Sequence, residues 1–397
     1  MKMLFTQPLP LSLYIHYPWC VQKCPYCDFN SHQAKNDLVS QEQLYLQALV
    51  KQLELTLPMI WGRPISSIFF GGGTPSLMSV EGFDWLMSQL RALLGFSPDI
   101  EVTLEANPGT VDVAKFAGFR QAGVNRLSLG VQSFNDTHLK ALGRIHDSQQ
   151  AWLAIEAAKS VGFSNFNLDL MFALPAQTLE QAMADVEQAI QLAPTHLSHY
   201  QLTLEPNTPF YRQPPVLPDE DLAWEMQLAC QARLKQAGYQ HYEVSAFSQP
   251  GRECVHNLNY WQFGDYLGLG AGAHGKLTLP QTAEIWRSQM PASPGAYLEM
   301  MQRVPQSELN IPPRAMGRWS TVDNQDAIFE FMLNALRLQQ GFDLSLLSER
   351  TGLDVQIIES KLAQIELENW GQLSNNRLQL TEKGQNYLNT VIELFLQ

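Results

Sequence analysis

Three cysteines stand close together near the start of the chain, Cys20-x-x-x-Cys24-x-x-Cys27, and this spacing limits the chemistry open to them. Three thiolates on one short loop can hold three irons of a [4Fe–4S] cube and leave the fourth iron open to another ligand. An electron-transfer cluster fills all four positions with cysteine. A disulfide would use two of the three and strand the last. A structural zinc site takes four ligands, usually as two separated pairs, and His16 or His32 is available to complete one. The other two cysteines are distant: Cys230 lies in a helical pattern, and Cys254 lies two residues before His256.

Other groups must be brought to this loop by regular elements. The sequence predicts strands at Leu13–His16, Ile65–Phe70, Glu101–Ala106, Arg126–Val131, Asn165–Phe172 and His196–Leu204, separated by helical segments such as Gln41–Leu57 and Val80–Leu94. Six such units predict an α/β fold with a parallel sheet and helices outside it. They are too few to close an eight-stranded barrel, so an open, partial (β/α)6 barrel is expected. Sites in such folds lie at the C-terminal ends of the strands. The cysteine loop, the run Gly71 to Thr74, Glu105, Gln132 and Asp169 all fall at or near those ends.

Beyond this unit, 206–218 is a proline-rich connector, Asp219–Ala237 a helix, His241–Ser245 a strand, and Gly268 to Gly275 a glycine-rich loop. From Thr321 onward come three helices, the stretch Asn376 to Gly384 and a final helix, an order that resembles a winged-helix module. The expected division is residues 1–210, 211–315 and 316–397, the last a small, mainly helical domain.

Charge and composition exclude several function classes. The net charge of −13 argues against nucleic acid as a partner, and the C-terminal segment has five Lys and Arg against eleven Asp and Glu, where a DNA-reading surface is basic. A protein-contact or lid role suits that segment better. No apolar run reaches the length of a membrane span, and no signal peptide opens the chain. Cysteines concentrated in one loop suit a reducing compartment, so the expected location is the cytoplasm, with peripheral membrane contact left open.

The cysteine spacing, the aromatic Tyr26 just before Cys27 and the place of the loop after a first strand resemble the radical S-adenosylmethionine (SAM) superfamily. There the open iron is chelated by the amino and carboxylate groups of SAM. The resemblance implies cofactor contacts from Tyr14 and Tyr26, and from Gly72, Gly73 and Thr74, where glycine lets the backbone approach a ligand. It implies the same for Glu105, Gln132, Arg144 and Asp169. Arg144 has the fork that grips a carboxylate, whether of SAM or of a porphyrin propionate.

From Tyr14 to Asp169 the chain resembles oxygen-independent coproporphyrinogen III dehydrogenase, with two departures. That enzyme has a fourth cysteine where this chain has Phe29, and a longer segment before the cysteines, of which this chain has 19 residues. Cys27-Asp28-Phe29 looks instead like the HemW family of haem chaperones. His256-Asn257-x-x-Tyr260-Trp261 matches the HNxxYW motif associated with haem in that family. The resemblance implies haem beside the cluster and SAM. His256 or Cys254 is then the axial ligand, Tyr260 and Trp261 are flat apolar surfaces, and Asn257 orients the ring. The implied partner is an acceptor haem protein, a membrane-associated respiratory enzyme, and a homodimer is compatible with the family. Two other readings stay open: a dehydrogenase of the porphyrin pathway, and a scaffold carrying a relic cluster.

Overall fold

The computed structural model describes residues 3–5, 7–34, 38–305 and 311–396. Strand β1 (Leu11–Tyr17) is buried at six of its seven positions, the pattern of a strand covered on both faces. After it, the two-residue strands β2 (Trp19–Cys20) and β3 (His32–Gln33) pair in parallel and clamp the two ends of the cysteine loop. The main sheet resumes with β4 (Ile65–Gly72), β5 (Phe96–Ala106), β6 (Arg126–Gln132), β7 (Phe166–Phe172) and β8 (His196–Gln201). β1 and β4 to β8 lie side by side in sequence order, all parallel.

The helices Leu38–Ile60, Val80–Leu93, Val113–Ala122, Ser148–Val161 and Leu179–Gln191 connect these strands. Ser79, Asp112, Asp147 and Thr178 each cap a helix by accepting from the amide three residues on, the most economical way to satisfy the first turn. The expected strands are all present, with moved ends. β5 begins at Phe96 rather than Glu101, because Phe96 pairs with Ile65 across a register shift that the polar Ser97-Pro98-Asp99 stretch conceals.

The sheet is wider than the sequence suggests. β9 (Gln240–Glu243) and β10 (Ala246–Ser248) run antiparallel beyond β8. On the other side β11 (Asp265–Leu269) pairs parallel with β1, followed by antiparallel β12 (His274–Leu279), β13 (Glu284–Gln289) and β14 (Arg318–Val322). The stretch expected as a glycine-rich loop is thus half strand, residues 268–269 ending β11 and 274–275 opening β12. A Cβ on Gly268 would fall 1.9 Å from the His274 carbonyl oxygen, so glycine there permits a close backbone approach. The turn itself is Gly270 and Gly272, both at positive φ. β14 and β9 end the twelve-stranded sheet without pairing to each other, so the barrel is open.

The C-terminal segment folds around its own core, in which Phe331, Leu347, Ile365 and Val391 are fully buried. Helices Asn324–Ala335, Ser345–Thr351 and Glu359–Leu367 accompany a three-stranded sheet of β15 (Phe342–Asp343), β16 (Gly371–Ser374) and β17 (Arg377–Leu380), the winged-helix order. Phe263 and Ile285 from the main sheet side enter this core. No helix among the described residues is long and apolar enough to cross a membrane.

Candidate cofactor site

Cys20, Cys24 and Cys27 are unbridged, partly exposed, and line one cleft at the C-terminal ends of the parallel strands. Each sulfur has a different neighbour. Thr74 Oγ1 donates to Cys20 Sγ (3.3 Å), Arg144 Nη1 donates to Cys24 Sγ (3.7 Å), and Cys27 Sγ lies 4.0 Å from Ser31 Oγ. Burial pushes the Cys20 and Cys27 thiols above their ordinary range, against the hydrogen bonds they receive. Cluster loading must therefore release protons.

His16 and His32, which could complete a zinc site, both bond Asn30 instead. Among the described residues no three His, Cys, Asp or Glu side chains surround one ion position. A cubane with one open iron asks for something else, one cysteine on each of its other three irons, and the loop supplies that donor set.

Ten of the expected cofactor positions and cluster cysteines meet in this cleft with Arg144: Cys20, Cys24, Cys27, Tyr26, Gly72, Gly73, Thr74, Glu105, Gln132 and Asp169. A Cβ on Gly72 (φ +111°) would lie 2.4 Å from the His16 ring, and one on Gly73 would lie 2.6 Å from the Trp19 carbonyl oxygen. The glycine strap thus lies against the base of the cysteine loop. Glu105, near the end of β5, accepts from the Gly72 amide (3.3 Å). Burial, with the Asp169 charge adding to it, pushes its carboxyl up to about 8. Burial also raises Asp169, which accepts from Asn167 Nδ2 (2.7 Å). Two such acids facing one cleft suit a cationic ligand.

Gln132 sits at φ +71°, where β6 and β7 lose register, and Tyr200 donates to its Oε1 (2.8 Å). A non-glycine residue held in this conformation beside a cleft is strain stored at a site. Arg144 Nη2 donates to the Gly130 carbonyl (2.6 Å), while its buried Nε has no partner among the described residues. That orphaned donor and the paired acids fit SAM, which has a carboxylate and two cationic centres. The proline-rich connector braces the loop: the Phe210 amide donates to the Pro25 carbonyl (3.0 Å), and its ring packs 6.4 Å from Tyr26.

Tyr14 lies elsewhere. It lines a second cleft with His16, Phe29, Tyr260, Tyr266 and His274, and this cleft shares Phe29, Gly72 and Glu105 with the first. Of the HNxxYW residues, Tyr260 alone reaches that cleft. His256 is buried, with Nδ1 3.0 Å from Ser67 Oγ, Nε2 3.1 Å from Tyr260 Oη, and its ring stacked on Phe69. Both ring nitrogens are engaged, and burial lowers its pKa to about 3. Trp261 turns to the C-terminal core with the Arg337 guanidinium 5.4 Å over its ring, and Asn257 is half-buried and lines neither cleft. Cys254 is buried with its thiol donating to Glu101 (3.5 Å), and burial pushes it up to about 12. The motif therefore does not form one porphyrin platform here; it forms a buried helix, Val255–Trp261, that presents Tyr260.

Sequence reading passes over Tyr200, Ser128, Tyr266 and His274. Tyr200 was within reach of the strand-end rule applied to β8. His274 was hidden by the glycines around it.

Residues 14–189 match the Radical SAM superfamily, and residues 322–386 match the HemN C-terminal domain. The chain is 46% identical to the heme chaperone HemW of Haemophilus influenzae, over 98% of each protein. The chain belongs to the HemW family of radical SAM proteins. The Escherichia coli HemW is 45% identical over 98% of each chain, and that of Bacillus subtilis 33% identical over 97% of this chain and 99% of its own. Among solved structures, coproporphyrinogen III oxidase (HemN) from Escherichia coli aligns with a TM-score of 0.78 at 23% identity, covering 98% of this chain and 90% of that one. That likeness establishes the shared fold.

Proposed function

We propose that this chain is a haem chaperone: it binds haem, passes it to an acceptor haem protein, and carries a SAM-ligated [4Fe–4S] cluster on Cys20, Cys24 and Cys27. The observation that carries the reading is identity of 46% along 98% of the chain to a protein named for that activity. It favours the chaperone over the dehydrogenase. When bound, the cluster supplies one-electron chemistry and an open iron for a chelating ligand. Glu105 and Asp169 hold the cationic side of SAM, Arg144 its carboxylate, Gly72, Gly73 and Thr74 its amino group, and Tyr26 its adenine. Gln132, fixed by Tyr200, closes the wall.

The three-part division at 210 and 315 belongs to this proposal, with the acidic C-terminal part as a contact surface for the acceptor. The acceptor is a membrane-associated haem enzyme met from the cytoplasmic side, and the chain works as a monomer or homodimer. The test uses anaerobically reconstituted protein. One sample receives coproporphyrinogen III, SAM and a reductant, and another receives haem. A stable Soret band with no decarboxylated product is expected. Turnover to protoporphyrinogen, or no haem uptake, would overturn the reading.

A further inference from the structure

The helix Leu179–Gln191 buries Ala182, Val186 and Ala189 at the spacing of an apolar stripe, and Asp185 stands in the same stripe. Only 3% of its surface is exposed. A carboxylate buried in such a stripe is costly unless its oxygens are hydrogen-bonded. Both are: Ser133 Oγ donates to Oδ2 (2.7 Å), and the Phe134 amide donates to Oδ1 (2.7 Å). Burial pushes the carboxyl up to about 6 and the two bonds pull the other way, so most of it is ionised at pH 7.

Ser133 and Phe134 directly follow Gln132, which lines the cysteine cleft at φ +71°. A glutamine in that conformation relaxes to negative φ unless its surroundings prevent it. Tyr200 holds its side chain from within the cleft, and Asp185 holds the two residues after it from a helix that does not line the cleft. Ser133 Oγ also accepts from the Asn135 amide (3.0 Å), and Asn135 caps the short helix Asp136–Ala141. Arg144 follows that helix, its amide donating to the Leu139 carbonyl (3.0 Å). A Cβ on Gly130 would lie 3.1 Å from Gln132 Nε2 and 3.3 Å from Arg144 Nη2, so the two side chains converge over one glycine.

We propose that Asp185 is the positioning residue for Gln132: from the outer helix it clamps Ser133 and Phe134 and so holds Gln132 in the conformation that faces SAM. The assignment rests on the reading of Gln132 as part of the SAM wall, and extends it to a carboxylate that touches no ligand. Without Asp185, the Ser133 hydroxyl and the Phe134 amide lose their buried acceptor, and the segment can carry Gln132 out of the cleft. The cysteine loop is clamped separately, by β2 and β3, so the cluster should assemble whether or not Gln132 is in place.

The experiment measures SAM affinity by equilibrium dialysis for the full-length, cluster-loaded chain, for Asp185→Ala, for Gln132→Ala and for the double variant, with iron content as the check on folding. Each single variant should bind SAM about tenfold more weakly, and the double variant no more weakly than either, because Asp185 acts through a side chain already removed. Asp185→Asn keeps an acceptor for the Phe134 amide and should lose only about threefold. It takes the place of Asp185→Ala in the cycle if that variant fails to load iron. Unchanged affinity in the Asp185 variants, or losses that multiply in the double variant, overturn the assignment and leave the SAM reading of the cleft standing. No SAM binding by wild type, or no loss in Gln132→Ala, overturns that reading and the assignment with it.

Discussion

Glu105 is where a single side chain sets a measurable property. Its carboxyl holds a proton in the fold up to about pH 8, well above its ordinary value of 4.5. The native state therefore binds more protons than the unfolded chain across that window, and stability must fall as pH rises through it. Glu105→Gln should flatten that slope, as read by urea unfolding of both chains at a series of pH values; parallel slopes would count against the burial argument. A cation in the cleft favours the ionised carboxylate, so SAM affinity should rise over the same window and lose most of that dependence in the variant. The role of this carboxylate was only partly legible in the sequence. Its place at a strand end was readable from the alternation of elements, but its proton affinity depends on its burial in the folded cleft and then on Asp169, 64 positions later in the chain and two strands away in the sheet.

At the scale of elements, the Val255–Trp261 helix shows what a motif can conceal. Its sequence looks like a ligand set, yet most of its side chains are spent on holding the helix in place. The Glu101 carboxylate accepts from the Val255 amide (3.1 Å), the His256 amide (3.2 Å) and the Cys254 thiol, and it faces the buried Arg126 at 3.9 Å. Removing one partner of a buried charge pair costs roughly 3–5 kcal/mol. Glu101→Ala should lower stability by about that amount and speed amide exchange at Val255 and His256; a loss confined to a few tenths would show that the helix is held by packing alone. The strands were legible because each is a short apolar run bounded by turns. The second half of the sheet was not, because β11 to β14 owe their existence to pairing partners rather than to their own composition, and Gly268 and Gly275 read locally as loop. In the same way, Nδ1 of His256 could not be judged occupied until Ser67 of β4 was seen beside it.

Across the whole molecule, the same helix is the bolt between two cores. Its His256 packs on β4 while Leu258 and Trp261 pack on the C-terminal core. Trp261→Ala should cost about 2 kcal/mol, less than the roughly 3–5 of a fully buried tryptophan because the ring is half-buried. It should split the heat-capacity trace into an early C-terminal transition and a later one for the sheet; a single unshifted transition would show that Phe263 and Ile285 suffice to join the cores. The wall shared by the two clefts has a consequence of another kind. Ligands bound in the two clefts would both meet Glu105 and Gly72, and thermodynamics fixes the exchange rate: by whatever factor one alters the hold on the other, it is altered in return by the same factor. Under the proposed chaperone reading, the hold on a ligand in one cleft then reads out how much of the other is at hand, with no moving part required beyond one carboxyl group changing its charge.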